Sequence, residues 1–350
     1  MYELGVPRQR PLRVGIQLPE VEREVPWTEY VAMARAAEDV GFDTIWLGDH
    51  LLYRYPDGST RGPWEVWTSL AAIAASTTRI RLGPLVAATA FHSPPMLAKM
   101  AATVDEISGG RLILGLGAGW NDTEFRAFGF PFDHRVSRFE EAFTIIRTLL
   151  REGAIDFDGQ FFQARDCELK PAPRPGGPPL MVGSIGPRML EITLPHVDQW
   201  NVWYRQTRNS PGGLVPLLRE VDAACRAVGR DPAEVERTAA VLVRLAGGAG
   251  RIMGDTSSAE IPPLEGSPAQ VADGLRAYAA LGLAEVQLVV DPITIESVEW
   301  LGQVLADLDR GQGPTGRAGS VPEPLLGSAA GGVAVARFES GRGPTPESPP

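Results

Sequence analysis

Apolar positions along the chain switch repeatedly between the spacing of strands and the spacing of helices. LRVGIQLP (12–19) is a short, nearly continuous apolar run, and WTEYVAMARAAEDVGF (27–42) follows with apolar residues at helical intervals and Gly41 placed as a stop. TIWLG (44–48) predicts a second strand, PWEVWTSLAAIAASTT (63–78) a helix, and IRLGPLVAA (80–88) a third strand. PPMLAKMAATVDEISGG (94–110) opens on prolines and closes on glycines, as a helix should, and RLILGLGAG (111–119) is a fourth strand running into a turn. RVSRFEEAFTIIRTLL (135–150) predicts another helix. IDFDGQFFQARDCELKP (155–171) differs, with a DG turn between aromatic-rich pieces that predicts a hairpin or extended excursion.

PPLMVGSIGP (178–187) returns to strand and loop, with RMLEITLP (188–195) a short helix and HVDQWNVW (196–203) a sixth strand. GLVPLLREVDAACRAVG (213–229), SPAQVADGLRAYAALG (267–282) and TIESVEWLGQVLADL (294–308) predict helices around strands in VERTAAVLVRLAG (235–247) and AEVQLVVD (284–291). Eight strands separated mainly by helices favour an α/β TIM (β/α)8 barrel over a doubly wound open sheet. Beyond the last helix the composition turns to Gly, Pro and small residues that cannot supply a core. Residues 1–310 are therefore read as one barrel domain and 311–350 as a flexible C-terminal tail, in which VAVARF (333–338) could dock weakly.

In a barrel the chemistry belongs at the C-terminal ends of strands. Asp49 and His50 end the second strand, where an imidazole could manage a proton and the aspartate could orient it or accept from a ligand. Neighbouring side chains usually point apart, so a DH pair is not assumed. VAATA (86–90) ends the third strand, with small side chains in AATA, after Val86, that would let a flat ligand approach or simply pack tightly, and His92 follows. GLGAGWNDTE (115–124) allows close approach at Gly119 and an aromatic wall at Trp120; Glu124 reads as a helix-start carboxylate or a local acid. VGSIGPR (182–188) places Gly183, Ser184 and Gly186 before a helix, where amides and a hydroxyl could cradle a phosphate, with Arg188 either reinforcing it or pairing on the surface.

Composition narrows the function classes. The 350 residues carry 33 basic and 43 acidic side chains, a formal charge of -10 that disfavours nucleic acid as partner. Two distant cysteines and four histidines show no metal-ligand spacing, so no metal site is expected. GSIG is not the GxSxG of a nucleophilic hydrolase. No apolar run reaches membrane-spanning length and no signal segment opens the chain, so a cytoplasmic protein without membrane partners is expected.

The ordered set RVGIQLP, FDTIWLGDH, IRLGPLVAATAFHSPPMLAKMAATVDEISGGRLILGLGAGW, HRVSRFEEAF and VGSIGPRMLEI resembles the bacterial luciferase-like flavin or deazaflavin oxidoreductases over most of residues 12–310. DH at strand two makes the coenzyme F420-dependent branch the nearest. The resemblance implies Asp49 near a tricyclic ring and His50 on its reacting side. It sets the Val86 and Ala88 region beneath the ring, Gly119 and Trp120 along its border, and Gly183, Ser184 and Gly186 at its phosphate. It also implies a cis peptide between Leu85 and Val86, a homodimer, and a flavin or F420 reductase as a possible source of reduced cofactor. The activity implied is hydride transfer between deazaflavin C5 and a small organic substrate. The alternatives are an FMN-dependent monooxygenase, in which reduced flavin reacts with oxygen, and a noncatalytic ligand-binding barrel. Trp120 stands where a sugar-phosphate dehydrogenase branch uses glutamate, which argues against glucose-6-phosphate as substrate.

Overall fold

The computed structural model describes residues 10–254, 256–257 and 260–310; the tail expected over 311–350 lies outside them. Its helices form where the apolar spacing predicts them. In α1 (Trp27–Val40) the buried set Tyr30, Met33, Ala34, Ala37 and Glu38 is one stripe, and Gly41 ends the helix in the left-handed region at φ 100°. α2 (Val66–Ser76) is capped by Glu65, whose carboxylate accepts from the Trp67 and Thr68 amides. α3 (Pro94–Ser108) starts on two prolines, and α5 (Arg135–Glu152) buries Phe139, Ala142, Phe143, Ile146 and Leu149. The short α4 (Asp122–Phe128) and α6 (Pro187–Thr193) precede α7 (Pro211–Ala227), α8 (Pro268–Ala279) and α9 (Ile295–Asp309).

Parallel strands β1 (Arg13–Gln17), β2 (Thr44–Leu47), β3 (Arg81–Pro84), β4 (Leu114–Gly117), β5 (Leu180–Gly183), β6 (Gln199–Val202), β7 (Glu236–Arg244) and β8 (Glu285–Asp291) form one sheet. β1 lies between β2 and β8, and the order runs on through β7, β6 and β5 to β4. Closure comes at β3. Leu82 bridges Leu112, and a two-residue continuation, Ala87–Ala88, pairs with Leu116 and Gly117. The run read from sequence as one strand through residue 88 is thus two pieces, parted at Leu85 and Val86, whose peptide bond is cis as the resemblance implies. Between α5 and β5 the predicted excursion is an antiparallel hairpin of Ala154–Asp158 and Gln163–Glu168. The sequence reading missed α4, and also two small hairpins, Tyr53–Arg54 with Thr60–Arg61 and Ile252–Met253 with Thr256–Ser257.

Strand alternation sorts side chains between the helical layer and the interior. Ile45 and Leu47 join the large core under the helices, whereas Trp46 packs inside the barrel with Ile113 and Met181. The indole fits because its neighbours lack side chains: a Cβ on Gly15 would come within 2.5 Å of Trp46 Nε1, and one on Gly83 within 3.0 Å of Trp46 Cζ3. Trp46 Nε1 donates to Glu285 Oε1 at 2.9 Å, and Glu285 Oε2 accepts from Arg81 at 2.9 Å and Arg13 at 3.3 Å. This fully buried carboxylate ties β8 to β1, β2 and β3 at the end opposite the strand-end loops, so its role is structural. Glu285→Ala leaves the buried indole N–H without its partner and takes a carboxylate from Arg81 and from Arg13, which keeps Glu236, and is expected to lower unfolding free energy by about 3 kcal/mol. Urea denaturation checks this, and a loss below about 0.5 kcal/mol, the range of ordinary surface changes, would contradict it.

Candidate active site

At the C-terminal ends of the strands a cavity of about 630 Å³ opens. Val86 stands in its floor, held among glycines of adjacent strands. A Cβ on Gly115 would lie 2.9 Å from Val86 Cγ1, one on Gly117 2.8 Å from Cγ2, and one on Gly183 3.1 Å from Cγ1. Any side chain at these positions would displace Val86 or fill the floor. Gly119, at φ 75°, turns the chain after β4 where a Cβ would meet the Phe125 ring at 2.6 Å, and Trp120 stands half exposed beside it.

His50 is the chemical centre of the mouth. Its Nδ1 lies 2.9 Å from Glu124 Oε1 and its Nε2 3.8 Å from Glu20 Oε1, both carboxylates being almost completely buried. A carboxylate can only accept, so Nδ1 carries a hydrogen and Nε2 is the atom left to the cavity. The other Glu124 oxygen accepts the Leu51 amide at 2.8 Å. The ring sits 4.9 Å from Tyr53 and edge-on to Trp120 at 5.6 Å. Burial opposes a charged imidazole, but Glu20, the Glu124 hydrogen bond and charge, and Asp49 together outweigh it and raise the His50 pKa above its usual value.

Asp49 and His50 diverge, as adjacent residues should. Asp49 Oδ2 accepts the Ala88 N–H at 2.8 Å, joining the end of β2 to the exit of the Val86 bulge. Burial pushes its pKa up to about 7, against the lowering effects of the Ala88 amide and His50. Across the mouth, the Ser184 hydroxyl accepts from the Gly186 amide at 3.2 Å while its carbonyl takes the Trp200 indole N–H at 2.7 Å, fixing the loop before α6. Arg188 turns to the surface and pairs with Glu140 at 2.8 Å. His92 is half-buried and is not among the residues that line the cavity.

The luciferase-like monooxygenase family pattern matches residues 12–249. The chain belongs to this family. It is 34% identical over 169 residues to a 5,10-methylenetetrahydromethanopterin reductase of Archaeoglobus fulgidus, covering 48% of this chain and 47% of that protein. It is also 34% identical over 172 residues to the pyrimidine monooxygenase RutA of Rhizobium rhizogenes, covering 48% and 47%. The chain therefore spans about half the length of these curated relatives. Among solved structures, an F420-dependent secondary alcohol dehydrogenase in complex with an F420–acetone adduct superposes with a TM-score of 0.72 at 16% identity, covering 85% of this chain and 99% of that one. At that identity the likeness establishes the shared barrel.

In this luciferase-like protein the mouth gathers Asp49, His50, Val86, Ala88, Gly119, Trp120, Gly183 and Ser184 into one cavity. Gly186 stands just outside its lining. Trp203, which the sequence offers as a pocket wall or a core residue, lines the cavity; Gln17, Glu20, Asn201 and Arg251 carry no such signal in the sequence, and Glu124 is left there between two roles. Glu124 occupies the first turn of α4, which fits the helix-start carboxylate, and its two oxygens accept from His50 and the Leu51 amide. The cavity suits a flat ring with polar edges: its floor is Val86 between glycines, and the buried Gln17 Oε1 has no partner among the described residues.

A carboxyl group whose folded pKa lies above its unfolded value favours folding where it is protonated; that contribution is lost as pH rises from about 4 to about 7. Asp49→Asn is accordingly expected to raise the melting temperature more at pH 8 than at pH 5. With a shift from 3.8 to about 7, the part titrated between pH 5 and pH 8 gives an upper bound of roughly 3 kcal/mol on the difference in stabilisation. Equal effects at the two pH values would contradict the buried-acid assignment.

Proposed function

We propose that the protein is an oxidoreductase that binds coenzyme F420 across the barrel mouth and acts on a small organic substrate, with His50 handling the proton. The observation that supports this most is the His50 arrangement: Nδ1 anchored on Glu124, Nε2 directed to the cavity, and a raised pKa that keeps the imidazolium available. The matches to an F420-using structure and to a methanopterin reductase favour the same reading. When bound, the deazaflavin supplies or accepts the hydride at C5.

The chain's own work is positioning and proton control. Val86 and Ala88 would support the ring, Gly119 and Trp120 border it, and Gly183, Ser184 and Gly186 receive the phosphate. Asp49 keeps the supporting bulge in place through Ala88. His50 Nε2 would give or take the proton that must accompany hydride transfer to or from a carbonyl or imine carbon, while Trp120 and Tyr53 exclude water from it. As a donor His50 loses its proton as pH rises through its raised pKa, so turnover in the reducing direction falls on the alkaline side. The reading takes residues 1–310 as the catalytic unit and 311–350 as a tail. It includes a homodimer and a reductase as the source of reduced cofactor.

An FMN-dependent monooxygenase is the second reading, favoured by the equal identity to RutA. Binding titrations of the purified protein with F420 and with FMN, followed by reduction assays, separate the two. F420 is expected to bind and to exchange hydride. His50→Ala is expected to lower turnover about 10²–10⁴-fold with cofactor affinity little changed. FMN binding with substrate-coupled oxygen consumption would replace the F420 reading with the oxygenase one. Binding of neither cofactor would leave a noncatalytic ligand-binding barrel.

A further inference from the structure

The segment after β7 brings Met253 to the lining of the mouth and sets Arg251 against Glu20, which also lines it. Arg251 is a fully buried guanidinium: one terminal nitrogen donates to Glu20 Oε2 at 2.8 Å, Nε donates to Glu22 Oε1 at 2.5 Å, and its plane lies 5.6 Å from the Trp203 ring. The segment is fastened on either side, by the Gly250 amide to Asp291 Oδ2 at 2.7 Å and by the Tyr55 hydroxyl to the Ile252 carbonyl at 3.3 Å. Glu22 is itself held by the Glu20 and Val21 amides, so Arg251 bonds to a fixed partner and to Glu20 together.

Glu20 is the carboxylate that Arg251 shares with His50. Its Oε2 is taken by Arg251 and by Gln17 Nε2 at 2.9 Å, and its Oε1 accepts the Tyr53 hydroxyl at 3.1 Å. It packs against Gly48, where a Cβ would come within 2.7 Å of the Glu20 carboxyl carbon. So held, Glu20 Oε1 stops 3.8 Å from His50 Nε2, near enough for charge attraction and beyond a hydrogen bond. The groups facing His50 from the packed elements are Glu20 after β1, Asp49 at the end of β2, Tyr53 in the following hairpin and Glu124 on α4. Glu22 and Arg251 lie behind Glu20, and Glu65 at the start of α2 acts on Asp49.

We infer that Arg251 is a positioning residue: by drawing Glu20 back, it keeps His50 Nε2 open to the cavity and limits how tightly the imidazole holds its proton. Apart from His50 itself, no other of these contacts brings a cation to Glu20. Without Arg251 the carboxylate keeps only the neutral donors Gln17 and Tyr53, and closing the gap to Nε2 would both occupy the working atom and strengthen its proton binding. The consequence for turnover rests on the hydride-transfer reading above; the consequence for His50 titration does not.

The test is the His50 titration in Arg251→Met, followed by ¹H–¹⁵N NMR of the ring on the full chain without cofactor, with far-UV dichroism to establish folding. The His50 midpoint is expected to rise by about one unit when the guanidinium goes. Turnover should fall while cofactor affinity stays within about threefold, since the bonds lost lie on Glu20 and Glu22 and not on the Val86 floor. Arg251→Lys keeps the charge and should restore most of the wild-type midpoint; Glu20→Gln in the Arg251→Met background should bring it down again. If the single variant does not fold, the charge-balanced Arg251→Met/Glu22→Gln carries the same expected direction. A midpoint that is unchanged or falls in the folded variant overturns the inference, even if F420 binds. A midpoint that rises in a protein binding neither F420 nor FMN supports the inference and overturns the cofactor reading alone.

Discussion

The arrangement of the mouth depends on a steric constraint at Val86. Its isopropyl group projects where three strands converge, and the space exists only because Gly115, Gly117 and Gly183 carry no side chains. That packing makes a floor that is apolar and level. The same device recurs one layer below, where Gly15 and Gly83 make room for Trp46 inside the barrel. Small residues at inward positions therefore decide both how the barrel interior fills and where its cavity begins. Asp49 completes the floor by accepting the Ala88 amide, which explains a carboxyl group kept in a setting that pushes its pKa up to about 7.

Charge is divided between the two ends of the barrel. At the strand starts Glu285 joins Arg13, Arg81 and Trp46, giving a closed ionic cluster that serves stability. At the strand ends the acids Glu20, Glu124 and Asp49 surround His50, and Arg251 arrives from a remote segment to bond Glu20. Burying these acids is costly unless each is bonded, and each is: Glu124 to His50 and Leu51, Asp49 to Ala88, Glu20 to Gln17, Tyr53 and Arg251. Together these contacts fix His50 Nδ1 and leave its Nε2 3.8 Å from Glu20.

The eight strands were legible because period and punctuation agreed, and the strand ends then pointed to Asp49, His50, Trp120 and Ser184 without any contact being known. Leu85 and Val86 were harder: IRLGPLVAA carries strand character throughout, and residue spacing gives no sign of the interruption. The resemblance, and not the pattern, implied it. α4 escaped because only seven residues separate Asn121 from Gly129, too short a window for a helical period to show. Glu20 and Arg251 were invisible for a different reason, since they meet across 231 residues of chain and each looks like an ordinary surface charge in its own segment. Local pattern reports elements and their ends; the ionic partners that tune a site come from topology.

The most direct measurement of the central claim is a crystal structure of the protein with F420 bound. The account predicts the deazaflavin ring resting on Val86, with its reacting face toward His50 and its phosphate at Gly183 and Ser184. A ring bound away from Val86, or turned so that His50 cannot approach the substrate side, would contradict it.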